Sequence, residues 1–278
     1  MEPKTTGVPT GFPQLDELTG GLRAGDLIIV AGRPAVGTTV FAMNVAVHVA
    51  KEEAVPVLVL SLEAPGGYFD RYLLTFLGRV DASRTRRQLR LERDEWTRLA
   101  DAAEIVRAIP LHVENARCIA FSLLVDICHE WNRDTPRGLI VVDSLQLLPP
   151  VDDPTFPVTP QRRKKQLTEI AGVLKALAMK LSMPVLVTAQ LDHRVERRAS
   201  KRPVLSDLKP AGAVAEIADT VMFLYRDEMY NPETQDTGIA EVIVAKEPRG
   251  RTGTARLRFV GRELRFENLT VPTSPPTP

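Results

Sequence analysis

Six short runs of this 278-residue chain are apolar at nearly every position: DLIIVAG (26–32), PVLVLSL (56–62), GLIVVDS (138–144), PVLVTAQ (184–190), TVMFLYR (220–226) and AEVIVAK (240–246). A strand with one face in water alternates apolar with polar residues, so runs without alternation predict strands covered on both faces. The sequence between the runs supplies the cover. In 161–182, Leu167, Ile170, Leu174, Leu177 and Leu181 recur at the i, i+3, i+4 spacing of one helical face. The segments 68–79, 92–108 and 121–133 also read as helices. Buried strand alternating with helix predicts a doubly wound α/β domain, its sheet mostly parallel with helices on both faces. AEVIVAK, GTARLRFV and ELRFEN, joined by short Gly/Arg turns, predict an antiparallel β extension at the C-terminal edge. Residues 1–268 then form a single domain. The Pro/Thr-rich tail 269–278 is expected to be disordered, and 149–160 is a proline-dense surface loop after a strand.

Bulk composition mainly excludes. Hydrophobic content of 44% and charged content of 26% are those of an ordinary globular protein. No run approaches the roughly 18 to 20 apolar residues of a membrane span, and MEPKTTGVPTGF lacks the basic-then-apolar layout of a secretory signal. A cytoplasmic protein without membrane contact is expected. Cys118 and Cys128 are too few for a disulfide framework or a zinc site, and Cys128 falls in a helical segment as a core residue. His48 and His112 read as packing or surface residues, and His193 as part of a charged loop. Lys+Arg 36 against Asp+Glu 35 gives no global attraction to polyanions. Basic residues nevertheless bunch in RTRRQLR (84–90), QRRKK (161–165), RVERRASKR (194–202) and from Lys246 to Arg265, which together favour a polyanionic partner.

The chemistry concentrates after the first apolar run, in Gly32-Arg33-Pro34-Ala35-Val36-Gly37-Thr38-Thr39. The phosphate-binding loop G-x-x-x-x-G-K-[ST] uses glycines so that backbone N–H groups can wrap a phosphate chain, with a helix N-terminus behind them. Its lysine meets the β/γ-phosphates and its final hydroxyl binds Mg²⁺. Both glycines, the hydroxyl (Thr39), the strand and the helix are present here; the lysine is replaced by Thr38. Three other strands end in polar residues suited to the same ligand. Asp143 closes GLIVVDS as a metal-holding acid, Glu63 follows VLVLSL where a carboxylate can activate water, and Gln190 closes VLVTAQ where it can sense a γ-phosphate. Ligands of open α/β sheets gather outside the carboxyl ends of the strands, so four such residues support one another.

The stretches TGVPTGFPQLDELTGGLRAGDLIIVAGRP, LVLSLEAP, LIVVDSLQLL, VTAQLDHRVERRASKRPVLSDLKPAGAVAEIADTVMFLYRDEMYN and IAEVIVAKEPRGRTGT occur in one colinear order over about residues 6 to 268. Together they resemble the C-terminal, RecA-like motor domain of bacterial replicative DNA helicases of the DnaB type. The resemblance implies a RecA-like fold, ATP and Mg²⁺ as ligands, single-stranded DNA as partner, and a hexameric ring or co-assembly with an active helicase. It implies that Gly32 to Thr39 hold the nucleotide, that Thr39 and Asp143 hold Mg²⁺, that Glu63 is the base, and that Gln190 couples nucleotide state to DNA. It places DNA contacts on two segments, about 149–163 with Arg162 and Arg163, and 208–219 with Lys209 and Gly212. Lys246 and Arg249 correspond to residues that one subunit offers to its neighbour's ATP.

Three departures from the family pattern bear on catalysis. Thr38 removes a cation from the developing phosphate charge, a kind of loss that typically costs about 10²–10³ in rate. Pro248 occupies the position of the family's finger arginine, leaving Arg249 one residue late. The family's N-terminal helical domain and linker do not precede the motor sequence. Two functional readings follow: an ATP-dependent helicase-like domain with impaired hydrolysis, or a non-hydrolysing nucleotide- or DNA-binding paralogue serving as a regulatory or ring subunit.

Overall fold

A computed structural model describes residues 6–63, 67–86, 91–117, 119–151, 159–211 and 213–269. In chain order the helices are α1 (Pro13–Thr19), α2 (Thr38–Lys51), α3 (Tyr68–Gly78), α4 (Ala82–Arg86), α5 (Arg93–Ala108), α6 (Phe121–Asp134), α7 (Pro160–Leu181) and α8 (Val214–Ile217). The strands are β1 (Leu27–Gly32), β2 (Val57–Ser61), β3 (Leu111–Asn115), β4 (Leu139–Asp143), β5 (Val185–Gln190), β6 (Thr220–Tyr225), β7 (Ile239–Lys246), β8 (Gly253–Val260) and β9 (Arg265–Asn268). They form one nine-stranded sheet in the order β3-β2-β4-β5-β1-β6-β7-β8-β9. The pairings from β3 through β6 are parallel, and those from β6 through β9 antiparallel.

The two-sided burial expected from the apolar runs accounts for this layering. Along β1, Leu27, Ile29 and Ala31 pack on one side with α6 and α7, while Ile28 and Val30 pack on the other with α2 and α3. The core strands β1, β2, β4 and β6 are buried at every position. Cys128 of α6 is fully buried, and burial pushes its thiol up to about 12. Strand β3 was not anticipated. LHVEN is short, polar at several of its positions and only partly buried, because it is an edge strand with a single neighbour. The expected antiparallel extension is present as β7, β8 and β9. Residues 152–158 of the proline-dense loop and 270–278 of the tail lie outside the described residues.

Local chemistry sets the helix boundaries nearest the candidate site. Thr159 caps α7 by accepting the Arg162 N–H at 3.2 Å, and Pro160 follows at the first helical position, where its missing N–H costs nothing. Within α2, Asn44 is a polar residue on a buried helix face. Its Oδ1 accepts the Phe266 N–H of β9 at 2.7 Å, and its Nδ2 donates to the Tyr72 hydroxyl of α3 at 2.7 Å. One side chain thus ties three elements together behind the loop that precedes α2. Asn44→Ala orphans a buried N–H, and we expect a loss of about 1–3 kcal/mol. Urea unfolding of the variant measures it; an unchanged midpoint contradicts this role.

Candidate nucleotide-binding site

The loop Gly32–Thr39 leaves the carboxyl end of β1 and turns directly into α2. Its shape depends on missing side chains at two points. A Cβ on Gly32 would lie 2.5 Å from Val36 Cγ1, and one on Gly37 would lie 3.1 Å from the Phe266 ring. Gly37 also has a φ of 109°, a conformation that glycine alone enters without strain. Val36 is buried beneath the loop, whereas Pro34 and Ala35 are exposed and Thr38 and Thr39 half-buried. Aromatic rings from β8 and β9 back the loop: Phe259 and Phe266 lie 4.9 Å apart, and the Arg226 guanidinium sits 4.0 Å above the Phe259 ring.

Strand order brings the other candidates to the loop. The pairing of β1 with β5 places Gly32 beside Gln190 in register, and β4, which ends at Asp143, lies next to β5. The Thr39 hydroxyl donates to Asp143 at 3.0 and 3.1 Å, and the Thr188 hydroxyl of β5 donates to the same carboxylate. Asp143 pairs in register with Ser61 of β2, two residues before Glu63. Glu63 is exposed and makes no hydrogen bond or ion pair with the described residues, leaving its carboxylate free for a ligand or water. Gln190 is exposed at the end of β5.

The electrostatics of Asp143 point to an absent cation. The residue is 3% exposed, and burial raises its carboxyl above the ordinary aspartate value against the opposing effect of the Thr188 and Thr39 hydrogen bonds. A buried carboxylate normally has a cationic partner or takes up a proton. Among the described residues no Lys or Arg pairs with Asp143, and its partners are hydroxyls. The buried Ser61 and Ser144 hydroxyls at the same strand ends also lack hydrogen-bond partners among the described residues. No cluster of three or more His, Cys, Asp or Glu residues exists among the described residues. A cation here would therefore take few protein ligands. That suits Mg²⁺, which keeps several waters and uses one or two protein oxygens together with phosphate oxygens. Thr39 and Asp143 fit as its protein ligands.

The arginines and lysines expected near the phosphates are engaged elsewhere. Arg33 donates to Glu196 and to the Leu191 carbonyl, both at 2.7 Å, which ties the loop to the segment after β5. Arg226 pairs with Glu228. Lys246 donates to the Glu216 and Ala215 carbonyls at 2.9 and 3.0 Å, capping the C-terminal end of α8. Arg249 pairs with Asp26 at 2.9 Å, just before β1 begins. The six residues of β1 separate Asp26 from the loop, a rise of about 20 Å at roughly 3.3 Å per residue. Lys246 and Arg249 thus lie away from the loop of their own chain. Arg163, expected at a DNA surface, instead donates to the Gln146 and Leu148 carbonyls at 2.7 and 2.9 Å, and burial holds its pKa below the usual arginine range. Arg162 is half-buried in the first turn of α7; the Lys209 side chain and Gly212 lie outside the described residues.

Sequence reasoning missed Thr188 and Gln146. The signal for Thr188 was a hydroxyl inside an otherwise apolar strand. Gln146 interrupts the apolar SLQLL run in the same way.

Comparison with known proteins decides the relationship. The family model of the DnaB-like helicase C-terminal domain matches residues 7–268. The chain belongs to that family. It is 39% identical over 266 residues to the replicative DNA helicase DnaB of Pasteurella multocida, covering 95% of this chain and 56% of that protein. It is 36% identical to the DnaB of Geobacillus stearothermophilus over 264 residues, covering 95% and 57%. The chain therefore spans little more than half the length of these relatives. Among solved structures, an isolated ATPase domain aligns with a TM-score of 0.88 and 31% identity, covering 96% of this chain and 93% of that one. A DnaB-like replicative helicase, from a structure describing its interactions with primase, aligns with a TM-score of 0.89 and 30% identity, covering 96% and 63%. The helicase resemblance and the RecA-like fold expected from sequence are borne out. Among the described residues no helix of this DnaB-like chain is long and apolar enough to cross a membrane.

A carboxyl group whose pKa is raised by folding stabilises the fold below its unfolded pKa, and that contribution is lost as pH rises through the folded value. At neutral pH the ionised Asp143 is therefore a net cost to the nucleotide-free chain. We expect Asp143→Asn to raise the melting temperature at neutral pH, with the gain shrinking as pH falls toward the ordinary aspartate range. Melting curves across pH check this; a variant less stable at neutral pH contradicts it.

Proposed function

We infer that this chain is a helicase-like motor domain that binds ATP with Mg²⁺ and single-stranded DNA, with hydrolysis slowed by Thr38. The observation that carries the reading is the convergence of the Gly32–Thr39 loop, the Thr39–Asp143 pair, Glu63 and Gln190 at the carboxyl ends of adjacent strands. In this arrangement backbone N–H groups of the loop and the start of α2 receive the phosphates. Thr39 and Asp143 hold the metal, which supplies charge neutralisation when bound. Glu63 orients and deprotonates the attacking water, while Gln190, one strand from the loop, meets the terminal phosphate. DNA binding falls to Arg162 and to the 208–219 segment with Lys209 and Gly212, as backbone contacts without base preference.

Assembly follows from the position of Lys246 and Arg249. Both lie away from their own loop, so they can serve a nucleotide only across a subunit boundary, as in a hexameric ring or a mixed ring with an active helicase. The relatives are named as replicative DNA helicases, and a cytoplasmic role in DNA replication is the matching setting.

Thr38 sets the expected rate. No described side chain near the loop replaces the missing lysine, since Arg33 and Arg226 are bound to acidic partners and carbonyls. That observation also favours the second reading, a non-hydrolysing subunit that holds nucleotide and DNA. Steady-state ATPase measurements with single-stranded DNA separate the two. We expect slow DNA-stimulated turnover in the wild type, loss of it in Glu63→Gln, and an increase on the order of 10²-fold in Thr38→Lys. No turnover in the wild type with restoration in Thr38→Lys selects the non-hydrolysing reading. No turnover in either contradicts a competent loop.

A further inference from the structure

Gln146 has no role in the functional reading, yet its side chain makes a two-point contact beside the site. It lies on a short 3-10 turn just after β4. Its Nε2 donates to the Gln190 carbonyl at 2.9 Å, and its Oε1 accepts the Gln190 N–H at 3.0 Å. The β4–β5 ladder ends at Val142 and Val187, so beyond it the two strands have separated. The Gln146 amide fills that gap, acting as one more rung that fixes the backbone bearing Gln190. Both groups are backbone donor and acceptor near solvent, and they would otherwise be free to move with the end of β5.

The same residue is held from its other side. Arg163, in the first turn of α7, donates to the Gln146 and Leu148 carbonyls, and its Nη1 reaches Gln166 Oε1 at 3.3 Å. Leu145 and Leu148 are fully buried on either side of Gln146, so the turn is anchored and its movement is shared with α7. A continuous series of hydrogen bonds therefore runs from the start of α7, through Arg163 and Gln146, to Gln190. From Leu191 it continues to the candidate phosphate loop, because the Leu191 N–H donates to the Gly32 carbonyl at 2.8 Å and its carbonyl accepts from Arg33. Gln146 and Gln190 also line a cavity of about 210 Å³ with Asp207 and Leu208, from the segment leading to Lys209. Gln190 thus sits where both candidate DNA segments meet the sheet.

We propose that Gln146 is a positioning residue that holds Gln190 and, through Arg163, makes its placement depend on the conformation of the polypeptide entering α7. The proposal rests on the reading of the site as a nucleotide and DNA site, and it adds the path by which one ligand affects the other. In this arrangement Arg163 acts through carbonyl contacts and not through DNA phosphate. A ligand that shifts the start of α7 pulls on the Gln146 turn and so moves the backbone of Gln190. By linkage the effect is reciprocal: nucleotide at the loop alters DNA affinity by the same factor.

The test measures that factor in the full chain. Affinity for a fluorescent N-methylanthraniloyl ATP with Mg²⁺ is determined without DNA and with saturating oligodeoxythymidylate. The wild type is expected to show a change of about fivefold or more. Gln146→Met, which keeps the side-chain volume but neither hydrogen bond, should reduce the factor to about one, at unchanged DNA-free nucleotide affinity and melting temperature. Gln146→Ala provides a second variant of the same kind. Arg163→Ala should also remove the factor, and the Gln146→Met/Arg163→Ala pair should lose no more than either alone, because they act in series. A wild-type factor retained in both Gln146 variants overturns the proposal, as does a wild type that binds both ligands with no mutual effect. Failure of the wild type to bind nucleotide at all overturns the underlying reading of the site, and this proposal with it.

Discussion

A sheet covered on both faces leaves polar groups only the strand ends to occupy. Here β1, β2, β4 and β6 are buried along their whole length, so any side chain with charge or hydrogen-bonding demand is displaced to where the strands stop. Parallel pairing then makes all those stops coincide on one side. Gly32, Asp143, Gln190 and the residues after Ser61 arrive together because the strands that carry them run in one direction and share a register. The antiparallel β7 reverses the sense, and its last residue, Lys246, emerges on the opposite side. The separation of a nucleotide-facing edge from a neighbour-facing edge is thus a result of strand direction.

Within that edge, Asp143 sets the energetic balance. Its carboxylate is almost fully enclosed and is met by hydroxyls of Thr39 and Thr188 in place of a cation. An unfilled buried charge is costly, and a divalent cation relieves that cost when it binds. Folding therefore holds a group in a state that ligand binding improves, which places the driving force for metal binding in the scaffold. Thr38 acts on a different term. The replaced lysine would have faced phosphate, so its loss leaves the metal contacts intact and weakens the stabilisation of charge that develops during transfer.

The sequence carried the fold where physical signals were strong and local. Unalternated apolar runs gave the core strands, and the helical spacing of Leu167, Ile170, Leu174 and their successors gave α7. β3 escaped because an edge strand with polar residues has neither signal. Glycines, strand-end acids and Thr39 were legible because phosphate and metal chemistry restrict the residue types that can serve. Arg163 was not. Its position in a basic cluster suggested a surface role, and only the fold shows that the Gln146 and Leu148 carbonyls lie within its reach. Gln146 and Thr188 were missed for the same reason: a single polar residue in an apolar context announces a partner without saying which one.

The account depends most on the claim that the site binds nucleotide through a metal held by Thr39 and Asp143 even without the loop lysine. Calorimetric titration of the wild-type chain with a non-hydrolysable ATP analogue, with Mg²⁺ and again with excess chelator, measures this directly. Saturable binding at one site per chain that requires Mg²⁺ is the expected result. Absence of binding, or binding of the same strength with the metal removed, would contradict the account.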